Sequence, residues 1–277
     1  MKKLRISAAL LMATILTGYL SVAKAEKVYS IGVVPQYSAP EIFTIWKPIL
    51  QELEQSTGLK FHLKTSRNIP AFEQEFEKGE FDFAYMNPYH LLVANKAQGY
   101  LPMVKDVGRK LSGIIVVRKD RDFNNVGDLQ NKKVAFPAPN ALGASLLPRT
   151  ELKKKYHTDI KAKYVKTHNA VYMNVVLGKT DAGGGVYKTF NKQPPEVQEQ
   201  LRVIYETTKM APHPIAAHPS VEAAVIIKVQ KALLALGQNE QGKALLKKIP
   251  IKQIGQASLA DYQPLQALGL EEFYVHK

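Results

Sequence analysis

The sequence predicts an α/β protein of two lobes, built on mixed, mostly parallel sheets with a hinge between them. Three observations carry this reading. From Val28 onward the chain alternates short β-branched runs with amphipathic stretches, the pattern of a parallel sheet covered by helices on both faces. A second alternating set begins near Gly113 and ends near Glu206. The residues after Met210 are too helical to form a lobe alone, so they return to the first. The expected division is 26–112 with 211–277 in lobe 1 and 113–210 in lobe 2, joined by crossings near 110–117 and 207–217. The competing arrangement is one continuous α/β domain.

In order, residues 28–35 read as a strand ended by Pro35, and 36–40 as a polar, aromatic loop. Apolar positions at Ile42, Ile45, Trp46, Ile49, Leu50 and Leu53 have helical spacing, and Gly58 stops the helix. Residues 61–64 alternate as a second strand, and 69–78 form a second helix with Phe72 and Phe76 four apart. Residues 79–94 then compress a turn, a short strand and a helix start into one stretch. Asn87-Pro88 ends the strand there, and Pro88 suits a first helical position, where no backbone donor is needed. Strands follow at 101–107 and 112–118, with a helix start at 123–129 where Asp128 is the expected cap. The chain continues through a strand at 133–136, a turn at 137–143 and a helix at 144–156. A strand starts at Tyr164, a helix runs to Leu177, and a strand with three glycines spans 180–186. A short helix at 194–200 and a strand at 201–206 close the second set. Three prolines forbid a helix across 211–219, and helices follow at 221–236 and 242–249.

Composition narrows the function. The 277 residues are 45% hydrophobic and 22% charged, a globular balance. The formal net charge of +14 is scattered over separate elements with no basic run among aromatics, which argues against nucleic acid and suits a collector of anions. Residues 1–25 read as a secretory signal: Lys2, Lys3 and Arg5 precede an apolar run, and Ala23-Lys24-Ala25 is a cleavage site. Removing Lys2, Lys3, Arg5 and Lys24 takes +14 to +10, with Glu26 as the new N-terminus. The chain has no cysteine, which excludes disulfides, thiolate metal sites, cysteine catalysis and lipid attachment at an N-terminal Cys. The expected product is soluble, monomeric and periplasmic.

One device recurs: a strand ends, a polar turn follows, and a helix N-terminus faces the gap, where free N–H groups attract anions. It places candidate residues at Tyr37, at 85–90, at 140–145, at 167–169 and at 213–218. His90, His168, His213 and His218 raise the possibility of catalysis or zinc. His213 and His218 lie in a proline-rich segment with no Glu between them, and no zinc-protease, nucleophile-elbow or phosphate-loop motif occurs. The expectation is therefore no enzyme, no metal and no cofactor.

The segment Asp82-Phe83-Ala84-Tyr85-Met86-Asn87-Pro88 resembles the pocket segment of periplasmic binding proteins for phosphate, phosphite and phosphonate transporters. The likeness extends along nearly the whole mature chain. It includes the loop holding Tyr37, the crossing strand at 112–118, Leu146-Leu147-Pro148, His168-Asn169-Ala170 and the Gly178-to-Ala182 segment. It implies a type II periplasmic binding fold that captures a small anion for an ABC importer's membrane permease. A sensing subunit that reports ligand to a membrane kinase or cyclase is the second reading. The resemblance puts Tyr85, His168 and the turn Asn140, Ala141, Leu142 and Gly143 against the ligand, with Tyr37, Asn87 and His218 close by. It also marks departures. The family's hydroxyl-bearing turn is here Ala141, Leu142 and Gly143; the acid after its histidine is Asn169; and a late acid before a proline aligns with His218.

Overall fold

The structure is a computed structural model that describes residues 27–249 and 251–276; the expected signal peptide and the expected cleavage site at Ala25 lie outside them. The described strands form two mixed sheets. The first contains β1 (Val28–Val33), β2 (Lys60–Thr65), β3 (Phe83–Tyr85), β4 (Leu101–Asp106), β10 (Ile215–Ala217) and β11 (Ile254–Gln256), in the order β11-β4-β10-β3-β1-β2. The second contains β5 (Ile114–Arg118), β6 (Lys133–Phe136), β7 (Lys161–Tyr164), β8 (Ala182–Gly185) and β9 (Leu201–Glu206), in the order β7-β6-β8-β5-β9.

Parallel pairing is confined to β2-β1-β3 and β7-β6-β8, where a helix carries the chain back over the sheet between paired strands. The remaining five pairings are antiparallel, so the balance is nearer to even than the alternating pattern alone leads one to expect. The strands that enter from the other sheet account for four of these, and the edge pair β11-β4 is the fifth. β5 arrives from the first sheet and β10 returns from the second, each running against its neighbours.

Helix α1 (Ala39–Thr57) lays Ile42, Trp46, Ile49, Leu50 and Leu53 on the first sheet, and Gly58 ends it in the left-handed region at φ 66°. Each such apolar side chain contributes about 1.5–3 kcal/mol on burial. α8 (Ala223–Leu236) and α9 (Glu240–Lys248) pack beside α1. Asparagine and threonine cap the helix starts nearest the inter-sheet space. Asn68 accepts from Ala71 N at α2 (Ile69–Glu77), Asn87 from His90 N at α3 (Pro88–Gln98), and Thr167 from Ala170 N at α5 (His168–Val176).

Several local expectations change. Asn125, not Asp128, caps the 3-10 turn Val126–Leu129; Asp128 sits three residues in and accepts from the Asn125 backbone N–H, completing a capping box. The helix expected from Ala144 begins earlier, with a π-turn over Leu142–Leu146 that runs into α4 (Leu147–Tyr156). β7 ends at Tyr164 instead of starting there. The proline-rich 211–219 stretch contains β10, whose three residues Ile215–Ala217 fall between Pro214 and Pro219 and keep every N–H the ladder needs. The two crossings meet: Leu111 and Met210 exchange both backbone hydrogen bonds at 2.8 Å.

Candidate ligand-binding site

Between the sheets lies a cavity of about 150 Å³. Its wall on the first sheet's side is built from Val34, Gln36 and Tyr37 after β1, Ile69 at the start of α2, Tyr85 at the end of β3, and Asn87. The other wall comprises residues 141–144, His168 and residues 186–189, where the short helix α6 (Tyr187–Phe190) begins. The crossings close the back through residues 109–112, Pro212 and His213. Strand ends and helix starts thus converge from both sheets, as the recurring device predicts.

Of the sequence-selected residues, Tyr37, Tyr85, Asn87, Ala141, Leu142, Gly143 and His168 line this cavity. Leu142, Gly143 and Ala144 occupy the first turn of the continuous helical run that leads into α4, where backbone N–H groups have no carbonyl within the helix to bond. The Tyr37 hydroxyl is buried without a hydrogen-bond partner, and burial, followed by the neighbouring Glu41, pushes its pKa up to about 12. Burial also raises Tyr85, whose ring stacks on His213 at 5.4 Å and tilts against Trp46 at 5.2 Å.

The two cavity histidines are neutral. Burial holds His168 down to about 4. Burial first, then nearby imidazoles and Lys188, brings His213 to about 3. His213 Nε2 lies 2.9 Å from the Gln36 amide nitrogen and accepts its hydrogen, which leaves the ring proton on Nδ1. His168 Nδ1 lies 3.3 Å from the Thr189 hydroxyl, itself 2.8 Å from the Tyr172 hydroxyl, so this chain orients the ring.

Three selected residues do not line the cavity. Asn140 is buried just behind the wall with its side chain committed: Nδ2 donates to Glu73 Oε2 at 3.1 Å and to the Val275 carbonyl at 2.9 Å. Asn169 is exposed and accepts from Gln193 at 2.9 Å; one residue along α5 from His168 turns a side chain by about 100°. His218 is the third. It accepts from Ser220 N at 3.1 Å and packs on the edge of Tyr100 at 4.9 Å. The histidine that precedes a proline at the cavity is His213. Five residues of extended chain through β10 carry His218 roughly 16 Å along the sheet.

Sequence reasoning also passed over Lys188, Gln36 and Thr189. A signal existed for Lys188 and Thr189: Gly185, Val186 and Tyr187 repeat the strand-end, helix-start device. Burial, then Lys192 and Arg109, lowers Lys188 to about 7, and its Nζ donates to the Lys248 carbonyl at 3.1 Å. Among the described residues, no aspartate or glutamate lines the cavity.

Comparison with known proteins agrees with this fold. The phosphonates-binding periplasmic protein of Escherichia coli is 22% identical over 259 residues, covering 88% of this chain and 77% of that protein. PhnD1 from Prochlorococcus marinus, solved in complex with methylphosphonate, superposes with a TM-score of 0.80 at 16% identity, over 89% of this chain and 98% of that one. The binding component of a Pseudomonas aeruginosa ABC phosphonate transporter gives a TM-score of 0.78 at 16% identity, over 88% of this chain and 85% of that one. Among the described residues no helix is long and apolar enough to cross a membrane. Residues 31–262 match the family of periplasmic substrate-binding proteins of phosphonate ABC transporters, and the chain belongs to that family.

Proposed function

We propose that this protein captures a small phosphonate-type anion between its two sheets and delivers it, as a monomer, to an inner-membrane ABC permease. The observation that carries the reading is a cavity wall rich in hydrogen-bond donors and free of carboxylates. An anion in the cavity accepts from the N–H groups of residues 142–144, from the Tyr37 hydroxyl, from His168 and from His213 Nδ1, with Tyr85 beside it. Backbone donors take the place of the hydroxyls missing at Ala141, Leu142 and Gly143. The partner solved with methylphosphonate supports the ligand class. Membership of a transport family favours an importer over a sensing subunit.

In this reading residues 26–112 and 211–277 form one lobe and 113–210 the other. Capture bends the chain near Gly113 and near Met210 and Pro212, around the paired strands at Leu111 and Met210. The signal peptide is removed at Ala25, and the product works in the periplasm. The test is a thermal-shift titration with methylphosphonate, phosphite and phosphate. A ligand at about 100 times its Kd adds roughly 2.7 kcal/mol of stability. The absence of any shift at millimolar concentration of all three overturns the reading.

A further inference from the structure

We propose that the cavity selects phosphonate-type anions whose organic substituent carries no ammonium group, and that Lys188 enforces the choice. This deepens the anion reading above and rests on it.

The cavity offers an ammonium no counter-charge. Its charged lining residues are Arg109, Lys110 and Lys188. The acids near it are engaged elsewhere: Glu206 accepts from Ser112 Oγ at 2.7 Å and faces Lys209 at 3.7 Å. Asp106 accepts from Arg109 Nε at 2.8 Å and from the backbone N–H groups of Gly108, Lys252 and Gln253. Glu41 faces Lys192 at 3.5 Å across the mouth.

The space into which a substituent extends is also unsuited to a cation. Behind Tyr37 and Tyr85 lies a second hollow of about 20 Å³, walled by Ile42, Ile45, Trp46 and Ile249. Lys188 borders both spaces and is the cation placed at their junction. A substituent that leaves the anion on this side meets hydrocarbon, the Gln36 amide, Lys188 and Lys248. A methyl group there is dry and favourable. A second ammonium loses its water, finds no carboxylate among the described lining residues and repels Lys188. The depressed Lys188 pKa is the same effect acting on the protein's own cation: the site already resists one positive charge.

Propylphosphonate and 2-aminoethylphosphonate have the same heavy-atom length and differ at the terminal group, CH₃ against NH₃⁺. Calorimetric titration at pH 7 with methylphosphonate as the reference ligand separates the outcomes. The expected result is propylphosphonate binding at least about tenfold tighter than its amino counterpart, a gap of 1.4 kcal/mol or more. Lys188→Glu is expected to shrink or reverse that ratio, and Lys188→Gln to bring it partway, whatever either does to absolute affinity or melting temperature. Equal binding of the pair by the wild type, or tighter binding of the amine, overturns the proposal while methylphosphonate binding leaves the anion reading standing. An unchanged ratio in a folded Lys188→Gln protein removes Lys188 as the enforcing residue. If none of the three ligands binds, this inference fails, and the titrations with phosphite and phosphate decide the anion reading.

Discussion

Asn140 Nδ2 lies 3.1 Å from Glu73 Oε2, which bonds the loop ahead of the cavity's π-turn directly to helix α2 on the first sheet. The same amide holds the Val275 backbone on both sides, through its carbonyl and its N–H, each at 2.9 Å. Glu73 in turn lies 3.0 Å from His90 Nε2. Replacing Asn140 by alanine strands a buried carboxylate oxygen and two backbone groups. The expected cost is about 1–3 kcal/mol, read as a lower urea midpoint with unchanged slope. A midpoint equal to wild type would mean that water satisfies these groups equally well.

Tyr37→Phe is expected to act with opposite signs on stability and binding. The buried Tyr37 hydroxyl has no partner in the ligand-free protein, so removing it relieves an unsatisfied polar group and raises the melting temperature or leaves it unchanged. With methylphosphonate present the same change removes a donor and weakens affinity by roughly 3–15-fold. Loss of ligand-free stability together with unchanged affinity would show that the hydroxyl serves the fold alone.

Acid should destabilise the ligand-free protein below the ordinary histidine range. His168 and His213 have folded pKa values of about 4 and about 3, below the ordinary histidine value of 6.5, so the unfolded chain binds more protons as pH falls through that range. Stability therefore drops between about pH 6.5 and 4, and each histidine accounts for on the order of 3 kcal/mol at the acid end. Chemical denaturation from pH 7 to pH 4 checks this. His168→Gln should flatten the slope, and a slope unchanged in that variant would assign the acid sensitivity elsewhere.

Lys188 should couple binding to protons. In the free protein its pKa is about 7, set by burial and by Lys192 and Arg109, with Glu41 acting in the opposite direction. A bound anion stabilises the ammonium and raises that pKa, so above pH 7 binding takes up a proton and affinity falls as pH rises. Titrations at pH 8 in buffers of different ionisation heat should show this uptake in wild type and less in Lys188→Met. Equal uptake in the two proteins would place the proton on the ligand.

Gly113→Ala should damage the cavity without touching ligand. A Cβ at position 113 would lie 1.8 Å from the Gly143 carbonyl oxygen, so the crossing strand and the cavity loop must separate. The expected outcome is weaker methylphosphonate binding together with a lower melting temperature. Retention of both would mean that the loop has room to move.

Much of this architecture was legible because punctuation in the chain has local causes. Pro88 reads as a first helical position, and it is one. Gly58 reads as a helix stop, and its positive φ makes it one. What escaped the sequence depends on distant partners. β10 is three residues long and becomes a strand only because β3 and β4 flank it. β11 pairs with β4 at the sheet edge in the same way. His213 and His218 each neighbour a proline, and only the direction of β10 separates the cavity residue from the one beside Tyr100. Asn140 was selected as a contact, yet its amide is spent on Glu73 and Val275. That commitment spans 67 and 135 residues of chain and leaves no local trace.

The unpaired N–H groups of residues 142–144 have a consequence for inheritance. Every amino acid except proline supplies an N–H, so the anion seat proposed at this turn is not written in any side chain. Mutation can rewrite Tyr37, Tyr85, Lys188 and His213 around the cavity, one codon at a time, without erasing it. A lineage that keeps the turn can therefore exchange one substituent preference for another by small steps, each intermediate still able to hold an anion.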